Sequence, residues 1–200
     1  EEGRVGDPKK SELAWLVDPL DGTKEFIKRN GMFTVNIALV KRMGPQWKPI
    51  FGVVHAPVNR TTWFGGVDVR ATKITDAETS EISVKKQTST QPRLVASGSH
   101  RAERDEKFAK ALGDHELVRM GSSLKACIVA EGSADLYPRF GPTSCWDIAA
   151  AHAVVEAAGG FVLSPQCEPL VYDLVDEVLN PYFLVTCSSK WNDIWAQNQD

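Results

Sequence analysis

The 200-residue sequence has no apolar run that approaches the length of a membrane span, and nothing near its start resembles a signal peptide. Cysteine is scarce: Cys127, Cys145, Cys167 and Cys187 lie far apart and form no C-x-x-C pair. That spacing argues against a disulfide frame or a zinc site and reads as reduced cytosolic thiols. An excess of basic charge is missing as well. The net charge of -3 argues against a general nucleic-acid binder, while leaving room for a local basic pocket. There is no G-x-x-x-x-G-K-[ST] loop, no G-x-S-x-G elbow and no H-E-x-x-H pair, which weakens the P-loop, serine hydrolase and zinc protease readings. Internal repeats and low-complexity blocks are absent. The chain opens on Glu1-Glu2-Gly3 without an initiator Met, which reads as a fragment or a processed form.

What is present suits a globular domain. The hydrophobic fraction is 42% and the charged fraction 24%, and the length suffices for one large domain or two small lobes sharing a core. The stretch that organises the chain is Trp15-Leu-Val-Asp18-Pro-Leu-Asp21-Gly-Thr-Lys-Glu-Phe26. A buried strand, Leu13 to Val17, is expected to end in Asp18, and Asp21-Gly22 to turn sharply. Two carboxylates leaving one strand end would repel, and one would tend to hold a proton. A hard divalent cation removes that conflict. The N–H groups of Gly22, Thr23 and Lys24 follow at once and suit a phosphate at a helix start. A plain strand-to-helix turn with a solvated Asp pair accounts for the same residues equally well.

Along the chain, Phe33 to Val40 alternates as a half-buried strand does, and Pro49 to Ala56 and Thr61 to Phe64 follow as antiparallel partners. Gly65 to Gln91 is polar, with short strand-like pieces such as Ile82 to Val84. A lobe boundary is placed near Thr88 to Pro92, dividing the chain into lobes 1–90 and 91–200. The second half alternates strands and helices: a strand at Arg93 to Ser97, a helix from Ala102 to about Leu112, and a strand at Glu116 to Met120. A helix opened by Gly121-Ser122-Ser123, a strand at Ala134 to Tyr137 and a loop from Pro138 to Pro142 come next. Ile148, Ala151, Val155 and Ala158 define the clearest helix, stopped by Gly159-Gly160. The order of elements predicts stacked layers of mixed sheet and helix.

Three further groups could carry chemistry. Asp147 closes Ser144-Cys-Trp-Asp147, a capping-box pattern, and reads first as a cap, becoming a ligand if its helix start faces the Asp18–Asp21 turn. Gly121-Ser122-Ser123-Leu124-Lys125 could cradle an anion, or be an ordinary cap followed by a surface lysine. Ser97-Gly98-Ser99-His100 has the same strand-to-helix setting. His55 and His152 read as structural.

Together these stretches resemble the inositol-monophosphatase superfamily of Mg2+-dependent, Li+-sensitive phosphatases. Its motifs stand here as Glu1-Glu2, Asp18-Pro-Leu-Asp21-Gly-Thr23 and Trp146-Asp147-Ile-Ala-Ala with Ala158-Gly159-Gly160. Gly22 to Gly31, Phe33 to Leu39, Leu136 to Thr143 and Leu179-Asn-Pro181 are similar to its bacterial 3'(2'),5'-bisphosphate nucleotidase branch. The resemblance implies a layered αβαβα sugar-phosphatase fold of the α+β class, with the family's N-terminal helices missing from this chain. It implies two or three Mg2+ ions. Glu1 would be a ligand of the first and would help orient the attacking water, Asp18 would bridge two, the Leu20 carbonyl and Asp21 would bind one each, and Asp147 would close the second site. Thr23 would position water, and the Gly22 and Thr23 amides would hold phosphate. Ser97, His100, Gly121 and Lys125 would contact the nucleotide. The implied activity is hydrolysis of adenosine 3',5'-bisphosphate, and of 3'-phosphoadenylyl sulfate as a further candidate, in the cytoplasm or at the inner membrane face. An inositol or sugar-bisphosphate phosphatase, or a nucleotide-binding module made inactive by the missing segment, stand as alternatives.

Overall fold

The computed structural model describes residues 3, 5–87, 90–97 and 103–199. Alternating apolar residues and short turns first build an antiparallel sheet in simple chain order: β1 (Leu13–Asp21), β2 (Thr34–Met43), β3 (Gln46–Ala56), β4 (Thr61–Gly66), β5 (Val69–Ile74) and β6 (Thr79–Glu81). The short helix α1 (Thr23–Ile27) lies between β1 and β2. The second sheet has the order β10-β11-β9-β7-β8. It is formed by β7 (Arg93–Ser97), β8 (Glu116–Met120), β9 (Leu136–Arg139), β10 (Phe161–Leu163) and β11 (Phe183–Thr186), with β7 parallel to β8 and β9. Helices α3 (Leu124–Ala130) and α4 (Cys145–Ala157) form the layer between the sheets, while α2 (Glu103–Leu112) and α5 (Asn192–Gln197) pack beside each other beyond the second sheet. This is the layered α+β architecture expected from the order of elements. No helix among the described residues is long and apolar enough to cross a membrane.

The central layer explains the composition of α4. Its residues Ile148 to Val155 are all buried, because one side meets the first sheet and the other meets α3 and β10. A helix buried all round has no polar face to show. Its backbone also comes unusually close to the sheet. A Cβ on Gly52 of β3 would fall on the Ala150 carbonyl, and one on Gly65 of β4 would lie 2.9 Å from the Ala157 Cβ. Glycine stands at both positions for room. Beyond the second sheet, Phe108, Phe140 and Trp195 pack in tilted and edge-on arrangements with ring centroids 5.1–6.1 Å apart.

Several boundaries differ from the sequence reading. The first strand does not stop at Asp18 but runs to Asp21, because a bulge absorbs Pro19. β9 extends through Pro138 and Arg139, where the sequence predicts a loop. The polar stretch after Gly65 contains β5 and β6, whereas Ile82 to Val84 lies outside any strand. The alternation in β2 is inverted relative to a strand with its polar face in water: Thr34 and Asn36 are buried and Ile37 is exposed. The outer face of the first sheet thus shows apolar side chains, with Leu13, Trp15 and Val17 of edge strand β1 all more than half exposed.

Gly52→Ala should destabilise the fold by about 1–3 kcal/mol, the usual cost of overpacking. Since α4 carries Asp147, the same change should weaken binding of a divalent cation. Urea unfolding and cation titration of the variant check both; unchanged stability would mean that α4 can move away from the sheet at no cost.

Candidate active site

In a regular strand, Asp18 and Asp21 are an odd number of residues apart and would face opposite sides of the sheet. The register resolves this. Asp18 pairs with Asn36 and Asp21 with Thr34, so three steps along β1 match two along β2. The extra residue is a bulge, and it turns both carboxylates to the same side. Pro19, which has no N–H, is tolerated at such a position on an edge strand. The third carboxylate comes from the first turn of α4. Asp147 Oδ2 accepts a hydrogen bond from the Ser144 backbone N–H at 2.8 Å, completing the capping box, so it caps the helix and also faces the β1 turn. One oxygen each of Asp18, Asp21 and Asp147 lies within 4.8 Å of the other two.

The electrostatics follow from this crowding. Burial pushes the Asp147 carboxyl up to about 6; the Ser144 N–H partly offsets that, and the charges of Asp21 and Asp18 add to it. Burial also raises Asp18, against the pull of the Leu20 N–H that donates to its Oδ1 at 3.0 Å, and the Asp21 charge raises it further. Three partly dehydrated carboxylates with oxygen donors only are a suitable donor set for a hard divalent cation.

Asp21 and Asp147 line a pocket of about 180 Å³. Its rim includes Gly22 and Lys24 at the start of α1, Ser97 at the end of β7, and Lys125 and Arg139. Ser97 pairs with Met120, so the ends of two parallel strands open here, just before Gly121. Ligands commonly sit at such strand ends. Gly22 takes a left-handed φ of 89° that lets the chain turn directly from β1 into α1. Gly121 is required for packing, since a Cβ there would lie 2.7 Å from Glu25 Cγ and 2.8 Å from the Met32 carbonyl. Lys125 is not a surface lysine. It is buried, its Nζ donates to the Ser122 carbonyl at 2.7 Å and lies 5.4 Å from the Tyr137 ring centroid, and burial pulls its pKa down to about 8.

Of the residues singled out in the sequence, the structure gathers Asp18, Asp21 and Asp147 into one cluster and places Asp21, Gly22, Lys24, Ser97, Lys125 and Asp147 around one pocket. Thr23 is exposed at the first position of α1, and Leu20 is half-buried beside Asp21. Glu1 and His100 lie outside the described residues. His55 Nδ1 bonds Thr62 and His152 Nδ1 bonds Tyr172, in keeping with structural roles. Arg139 and Tyr137 were missed as pocket residues; they share one face of β9, and reading that segment as a strand would have paired them.

A sequence profile of the inositol monophosphatase family matches residues 1–193. The chain belongs to that family. Among its relatives, the 3'(2'),5'-bisphosphate nucleotidase CysQ of Salmonella typhimurium is 49% identical over 176 residues, covering 86% of this chain and 67% of the relative. CysQ of Haemophilus influenzae is 34% identical over 190 residues, covering 92% of this chain and 68% of the relative. Among solved structures, CysQ from Bacteroides thetaiotaomicron, a bacterial member of the family, superposes with a TM-score of 0.81 at 39% identity, covering 94% of this chain and 76% of the other.

Between pH 3.8 and about 6, folded metal-free protein holds a proton on Asp147 that the unfolded chain has released. The contribution of Asp147 to stability therefore falls as pH rises through that window and levels off above it. A cation needs the ionised form, so the gain in melting temperature on adding Mg2+ should be larger near neutral pH than at about pH 5. Scanning fluorimetry at both pH values checks this; an equal gain at both would detach Asp147 from cation binding.

Proposed function

We propose that the chain is a Mg2+-dependent phosphatase that hydrolyses the 3'-phosphate of adenosine 3',5'-bisphosphate to give AMP and phosphate, with 3'-phosphoadenylyl sulfate as a further substrate. The observation that carries the nucleotide reading is the pair of cations, Lys125 and Arg139, lining the same pocket as the metal-ligand candidates Asp21 and Asp147. A substrate with one phosphate at the carboxylates and a second anionic group at the cations fits both ends. The curated relatives carry the name of this activity.

Asp18, Asp21, Asp147 and the Leu20 carbonyl would hold the ions, with Glu1 as a further acidic ligand. When bound, the ions supply Lewis-acid stabilisation of the charge that develops on the phosphoryl group and the leaving 3'-oxygen. The Gly22, Thr23 and Lys24 amides at the start of α1 would bind the phosphate being cleaved, and the Thr23 hydroxyl would orient the attacking water. Ser97, His100, Gly121 and Lys125 would face the rest of the nucleotide. We place the reaction in the cytoplasm, in keeping with four cysteines that are all free thiols. We also treat 1–90 and 91–200 as two lobes meeting at the site; the sheets divide between Glu81 and Arg93.

Lys125→Met keeps most of the buried stem and removes the charge. Losing a charge-assisted contact costs about 1.5–3 kcal/mol, so kcat/KM on adenosine 3',5'-bisphosphate should fall roughly ten- to a hundredfold. Turnover of p-nitrophenyl phosphate, which has no second anionic group, should change little. Side-by-side kinetics on the two substrates test the reading, and an equal loss on both would mean that Lys125 supports the fold or the metals.

A further inference from the structure

Four polar side chains are buried beneath the two turns of the site: Thr34 at 0% exposure, Asn36 at 1%, Ser123 at 4% and Ser122 at 8%. Buried polar groups are costly unless every donor and acceptor is matched. The neighbouring positions of β2 are Val35, Ile37, Ala38 and Leu39, so the strand pairs without help from polar side chains. Ser122 also takes a left-handed φ of 51°, a strained conformation for a residue with a Cβ.

Ser122 Oγ donates its single proton to Asp21 Oδ2 at 2.5 Å. Thr34 Oγ1 has one proton and three acceptors within reach, Ser122 Oγ at 2.5 Å, Asn36 Oδ1 at 2.9 Å and Asp21 Oδ2 at 3.4 Å. Asn36 Nδ2 has two protons, one for Asp21 Oδ2 at 3.2 Å and one for Ser123 Oγ at 3.0 Å. Ser123 Oγ passes its own proton to the Asp147 backbone carbonyl at 2.7 Å, and the Ser123 N–H donates to Asp21 Oδ2 at 2.8 Å. One chain of bonds thus runs from Thr34 through Ser122 to Asp21. A second runs from Asn36 through Ser123 to the backbone of Asp147.

We propose that Thr34 and Asn36 are positioning residues that fix the Asp21 and Asp147 carboxylates relative to each other across the two sheets, and thereby set the affinity for the divalent cation. The proposal rests on the metal-site reading above but not on the identity of the substrate. Outer partners of metal ligands typically contribute ten- to a hundredfold in affinity.

The test uses Mn2+ alone, with no nucleotide, and reads bound ion by electron paramagnetic resonance in the full chain. Thr34→Val and Asn36→Leu should each weaken Mn2+ binding by about tenfold or more. Thr34→Ser restores the hydroxyl and should bind within about twofold of the unaltered protein, which a purely steric role for the threonine would not give. Thr34→Val is close to isosteric and carries the test if Asn36→Leu fails to fold. Unchanged affinity in Thr34→Val, or a loss in Thr34→Ser as large as in Thr34→Val, overturns the proposal. An unaltered chain that binds no Mn2+ would remove the metal site itself, and the proposal with it.

Discussion

Three carboxylates that repel one another are held in a partly dehydrated space, and most of the architecture around them depends on keeping them there. Asp18 and Asp21 reach the same side of the sheet only because β1 has one residue too many against β2. Asp147 reaches them only because α4 begins at that point and lies close enough to β3 for glycine to be obligatory at Gly52. Without a cation, burial first and the Asp21 and Asp18 charges after it push the Asp147 carboxyl up to about 6, so that a proton relieves the arrangement. With a cation, the repulsion becomes binding energy.

The site is a joint between two unlike sheets. The antiparallel sheet contributes a bulge and a short helix, α1, whose N-terminus follows Gly22 directly. The mixed sheet contributes the ends of β7 and β8, where Ser97 and Gly121 stand, and the buried lysine one turn later. Neither sheet alone brings the three carboxylates and the cations Lys125 and Arg139 to one place. Their meeting is sealed by Asp21 accepting hydrogen bonds from Ser122 and Ser123, so the same carboxylate belongs to the cation cluster and to the seam.

How much of this could be read beforehand depended on whether the signal was local. Asp18-Pro-Leu-Asp21-Gly-Thr23 and the Ser144–Asp147 capping box are contiguous, and their residues announce a turn and a helix start without reference to the rest of the chain. The layered fold class was legible for the same reason, from the order of strand-like and helix-like runs. The burial of Lys125 was not, because it depends on Tyr137, which lies twelve residues further on and in another element. The inward direction of Thr34 and Asn36 was hidden by a simple physical assumption, that polar residues in an alternating strand face water. Here they face Ser122 and Ser123, nearly ninety positions away. β5 and β6 escaped notice because their exposed, charged sequence carries little alternation.

The central claim is that the β1 bulge and the α4 start form a cation site that shares a pocket with a second, cationic anion-binding end. Crystals grown with Mn2+ and AMP, with data collected at the manganese absorption edge, test it directly. The account predicts anomalous peaks bonded to Asp18, Asp21 and Asp147, with an anionic group of the nucleotide at Lys125 and Arg139. Manganese bound elsewhere, or AMP seated outside this pocket, would contradict it.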